Sequence, residues 1–114
     1  VLPGPGRRDW MYSRDVGSGI AALIDAPALP EPVYHVSTGR PFSVADWCGL
    51  LQRRYPGFSW RVAEAGEPAT IDYFSFGERR PLAVTKFMRD TQFRPAYDAE
   101  RALGDWLEWL DRPI

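Results

Sequence analysis

Of the 14 basic residues in this 114-residue chain, all but Lys86 are arginines. A guanidinium is planar and presents a fork of donors, so it can meet a phosphate at two oxygens at once, whereas an ammonium acts as a point charge. Three arginines turn this general property into candidate sites for an anionic ligand. Arg8 precedes Trp10-Met11-Tyr12, a short strand pattern, so its guanidinium is expected at a strand end, where a ligand rather than a core is the natural neighbour. The competing readings are a solvated arginine, or one paired with Asp9 or Asp15. Arg7 takes the place of Arg8 if the register slips by one. Arg79 and Arg80 close a long stretch without periodicity. Adjacent side chains point in different directions, so one of the two is expected to reach a ligand while the other meets water or a carboxylate. Trp10 and Tyr12 are secondary candidates that face either a cleft or, as aromatic strand residues more often do, a core.

Other chemistry is poorly supported. His35, the single histidine, falls in an apolar stretch and reads as a hydrogen-bonded structural residue. Cys48, the single cysteine, excludes an intrachain disulfide and reads as a small buried hydrophobe beside Trp47 and Leu50. One His and one Cys far apart give no metal-ligand spacing. Glu64, Glu67, Asp72 and Glu78 are scattered and read as solvated charges. Ser37, Thr38 and Ser43 lack a nucleophile elbow. Lys86 reads as the start of a short helix rather than a base. No catalytic, cofactor-binding or metal residue is therefore assigned.

The elements that must position these residues alternate in type. Residues 1–7, rich in Pro and Gly, form a loop. A strand at 10–12 leads into a helix over 15–25, with Val16, Ile20, Leu23 and Ile24 at helical spacing and Gly17, Gly19, Ala21 and Ala22 giving a smooth surface. Val33 to Ser37 reads as a buried strand. Ser43 and Asp46 form a capping box, with Asp in place of the usual Glu, for a helix over 44–55 whose inner face is Val44, Trp47, Leu50 and Leu51. Phe58, Trp60 and Val62 alternate with polar residues as a half-buried strand over 58–63. Residues 64–84 form a long loop, and such loops are usually functional or disordered. Helices over 85–91 and 99–111 follow, the latter capped by Asp98, with Ala102, Leu103, Trp106, Leu107 and Leu110 on one face. The order argues for an α/β chain.

Composition sets limits. The hydrophobic fraction of 45%, with five Trp, five Tyr and six Phe, is that of a folded chain rather than a disordered one. A net charge of −1 offers no broad attraction to nucleic acid. No apolar run approaches the roughly 18 residues that span a bilayer, and no signal peptide is visible, so a cytoplasmic protein is expected. The short strands are too few for a stable sheet of their own. The smooth helix and the 33–37 stretch lack partners within the chain. The chain is therefore expected to be one part of a larger domain.

Four anchors, in order, resemble a known family. Arg-Asp-Trp-Met-Tyr-Ser-Arg-Asp-Val at 8–16 resembles a segment that opens the second half of NAD(P)-dependent epimerases/dehydratases, the extended short-chain dehydrogenases/reductases. Tyr34-His35-Val36-Ser37-Thr38-Gly39, followed by Ser43, is similar to that family's strand, turn and helix cap. Arg79-Arg80-Pro81 with Thr85-Lys86 is similar to its Arg-x-Pro and Ser/Thr-Lys/Arg element, and Phe93-Arg94-Pro95 with Ala102-Leu103 to its closing aromatic-x-Pro segment. The chain departs from the family pattern at His35 for Asn, Ser37 for Gly, Ala83 or Val84 for Asp, and Thr91-Gln92-Phe93 for Leu-Gly-Trp.

The resemblance implies that the chain is the C-terminal substrate-binding part of such an enzyme, residues 8–114, with the N-terminal Rossmann portion absent and residues 10–37 packing on its sheet. It implies a nucleotide-sugar substrate whose phosphates meet Arg8 and, by position before Pro81, Arg80. It also implies NAD or NADP, held mainly by the absent half. A homodimer is left open, and neither nucleic acid nor membrane is an implied partner. The family's Tyr-x-x-x-Lys pair and Gly-rich phosphate loop do not occur here: Tyr12, Tyr34, Tyr55, Tyr73 and Tyr97 are followed four residues later by Val16, Thr38, Ser59, Gly77 and Arg101. The portion alone is therefore expected to be inactive. The competing readings are a non-catalytic, family-like module that binds a nucleotide or a protein, and a small independent binding domain.

Overall fold

The computed structural model describes residues 1–71 and 79–113. Among them the chain is a small mixed α/β structure with the order β1 (Arg8–Asp9), α1 (Ser13–Asp25), β2 (Pro41–Phe42), α2 (Val44–Arg54), α3 (Thr85–Thr91) and α4 (Ala99–Leu110). The two strands pair as a two-stranded sheet. The chain divides into two compact units, Val1–Arg8 with Pro41–Arg80, and Asp9–Arg40 with Pro81–Ile114.

In the first unit, α2 is the best-specified element. Ser43 caps it: its hydroxyl accepts from the Asp46 N–H at 2.9 Å, while the Asp46 carboxylate accepts from the Ser43 N–H at 2.9 Å. The rings of Phe42 and Trp47 meet edge to face at 4.9 Å, the position of a hydrophobic staple across the cap. The next orphan donors, Val44 N–H and Ala45 N–H, go to the carbonyls of Gly6 and Pro5, so the Pro/Gly-rich start serves the helix N-terminus. Arg53 and Arg54 occupy the last turn, where cations suit the helix dipole. Leu2, Cys48 and Leu50 are buried here, and burial raises the Cys48 thiol pKa.

Residues 58–63 do not form the expected strand. A single parallel bridge joins Val62 to Leu2. It uses Leu2 N–H to the Arg61 carbonyl and Ala63 N–H to the Leu2 carbonyl. Pro3 and Pro5 flank it without an N–H to donate, so the ladder stops after one residue, and Phe58 and Val62 are left exposed.

The second unit packs α1, α3 and α4 with the irregular segment 26–40. Phe87 of α3 is fully buried. The smooth surface expected of α1 is used at one glycine. A Cβ built on Gly19 would lie 3.0 Å from Val36 Cγ1 and 3.1 Å from Phe87 Cζ, whereas one on Gly17 would meet nothing within 4 Å. Replacing an exposed helical glycine by alanine recovers roughly 1 kcal/mol of helix propensity. Gly17→Ala should therefore raise the urea midpoint. Gly19→Ala should lower it or leave it flat, because Val36 and Phe87 would have to give way.

Several expectations are corrected here. The paired residues are Arg8–Asp9 rather than 10–12, and Tyr12 is the N-cap of α1, which begins at Ser13. Val33 to Ser37 forms no ladder, since no neighbouring strand is supplied to it. Val33 and His35 are exposed there, so His35 is not a core histidine. The buried line of α1 runs through Asp15 and Gly19, and Ile20 and Ile24, expected inside, are exposed, Ile24 by 78%. On α4 the burial reaches Ala102 and Leu103 but not Trp106 or Leu110.

Candidate functional site

The arginines proposed from sequence all lie in the first unit. Arg8 is only 9% exposed, and its Nη1 donates to the Arg7 carbonyl at 2.7 Å. The Arg79 N–H reaches the same carbonyl at 3.3 Å. One backbone oxygen thus joins residues 7–8 to residues 79–80, more than 70 positions apart. The side chains of Arg7, Arg79 and Arg80 are exposed. Asp46 is held below its ordinary carboxylate pKa, first by the bonds from Ser43, with the Arg7 charge adding to the effect.

Trp10 and Tyr12 belong to the second unit. Trp10 is 37% exposed. Tyr12 donates its hydroxyl to Asp105 Oδ2 at 2.5 Å, and the Arg14 Nε lies 3.1 Å from the same oxygen. The rings of Tyr12 and Tyr97 stand 4.9 Å apart, and the Arg101 guanidinium covers Tyr97 at 4.5 Å. The hydrogen bond to Asp105 is the main reason the Tyr12 pKa is raised, so the phenol stays protonated around neutral pH and acts as a donor.

A second charged network surrounds Asp90. Arg89 grips it with Nε and Nη2 at 2.6 and 2.9 Å, and Tyr34 donates its hydroxyl at 2.8 Å. Lys86, in the first turn of α3, pairs with Glu31 at 2.8 Å. In the first unit, Glu67 is no isolated solvated charge: Arg61 binds it through both guanidinium nitrogens and the Glu64 N–H donates to it at 3.0 Å. Asp72 and Glu78 lie outside the described residues. Arg89 and then Tyr34 bring Asp90 down to about 2, and Arg61 does the same for Glu67. Both folded values lie below the unfolded carboxylate range near 4. Their stabilisation is therefore present above about pH 4 and is lost as the pH falls through about 2. An acid series of urea midpoints should show this fall, and the slope should flatten in Asp90→Asn/Glu67→Gln.

Two aspartates that sequence reasoning noted only as partners for Arg8 organise the second unit. Asp9 Oδ1 accepts from the hydroxyls of Ser37 and Thr38 at 2.5 and 2.9 Å. Its Oδ2 accepts from the N–H groups of Gly39 and Leu82 at 3.1 and 2.9 Å. Asp15 is 2% exposed and takes the N–H groups of Ala96 and Tyr97, one per oxygen, both at 3.0 Å.

Comparison with protein-family models, with curated proteins and with solved structures found no match. Among the described residues, no cluster of three or more His, Cys, Asp or Glu is placed to hold a metal ion. No helix of the described residues is long and apolar enough to cross a membrane.

Proposed function

We propose that this chain is the C-terminal, substrate-binding portion of a cytoplasmic NAD(P)-dependent epimerase/dehydratase of the extended short-chain dehydrogenase/reductase type, acting on a nucleotide sugar. The observation that carries this reading is the Arg7 carbonyl, which draws the arginine pairs 7–8 and 79–80 together. In this reading Arg8, buried, braces the junction, and the exposed forks of Arg7 and Arg80 meet the pyrophosphate. The cofactor, NAD or NADP, would be held mainly by residues outside this chain and would supply oxidation at a sugar hydroxyl. No residue here is assigned to it.

Two further observations support the reading. Gly39 (φ +69°) and Gln92 (φ +60°) both adopt the left-handed backbone, at two of the three positions where the family pattern carries glycine; Ser37, at the third, does not. The core is also thin. Among the described residues six hydrophobic side chains are buried, against thirteen large ones left exposed, Ile20, Ile24 and Val33 of the second unit among them. A chain that covers a sheet supplied by other residues would show this balance.

The test is calorimetric titration of the full-length polypeptide with UDP-glucose. A charge-assisted contact to phosphate contributes roughly 1.5–3 kcal/mol, so Arg80→Ala should weaken binding about 10- to 100-fold with an unchanged melting temperature. Arg8→Ala should weaken binding and lower the melting temperature together. Unchanged affinity in Arg7→Ala, Arg79→Ala and Arg80→Ala would remove the reading.

A further inference from the structure

We draw no further inference here: the strongest candidate, the apolar surface that Trp106, Trp109 and Leu110 leave exposed on the last turns of α4, carries nothing because nothing in the structure shows what covers it.

Discussion

Asp15→Ala should lower the unfolding free energy by about 3–5 kcal/mol, because two backbone amides lose one buried acceptor at about 1–3 kcal/mol each. The carboxylate is nearly inaccessible, and each of its oxygens holds one backbone N–H, from Ala96 and Tyr97. Alanine leaves both amides without their carboxylate acceptor. Each such orphan costs about 1–3 kcal/mol, and the lost side chain leaves a void as well. Asp15→Asn is the informative companion. It keeps one oxygen acceptor but turns an NH2 toward the other amide, so roughly half of the loss should remain. The two amides connect α3 to α4, so their hydrogen exchange should accelerate along with the fall in the urea midpoint. A loss below about 1 kcal/mol in Asp15→Ala would show that the Ala96–Tyr97 turn is held by its other contacts.

Asp9→Ala should be the next most damaging change, at about 3 kcal/mol, from the loss of several bonds to one charged acceptor. Its four donors come from Ser37, Thr38, Gly39 and Leu82. Ser37 is buried, and Gly39 turns in the left-handed region beside Val84. A Cβ at residue 39 would come within 2.7 Å of Val84 Cγ2, so the turn cannot simply relax toward that side. The expected signature is local. Exchange at the Gly39 and Leu82 amides should quicken more than exchange in α4. Equal acceleration everywhere would mean that Asp9 acts only on global stability and does not organise this turn.

The helices were legible because their causes are local. Ser43 and Asp46 announce the start of α2, Tyr55-Pro56-Gly57 its end, and the Thr85–Thr91 helix has the limits its spacing predicts. The strands were not legible, because a strand is defined by its neighbour. Val33 to Ser37 has the composition of a strand and no partner, while Arg8–Asp9 lacks the composition and pairs with Pro41–Phe42. The arginine candidates were legible as chemistry. Their juxtaposition was not, because it depends on one carbonyl shared across the first unit. Asp9 and Asp15 were underestimated for a related reason. A carboxylate that gathers backbone amides from distant segments leaves no mark on periodicity or charge pattern.

The end of α3 shows how the chain behaves where local preference and packing disagree. Gln92 turns left-handed, a conformation that costs a side-chain-bearing residue about 1–2 kcal/mol. Around it the last carbonyls of the helix are taken by the Thr91 hydroxyl, the Gln92 side chain and the Arg94 guanidinium, and Phe93 folds back to within 5.2 Å of Phe87. The reversal is therefore imposed by what the chain does next rather than encoded in the turning residue. All of these contacts lie between residues 87 and 94, so Phe93→Ala should loosen the reversal, read as faster amide exchange at Gln92 and Phe93.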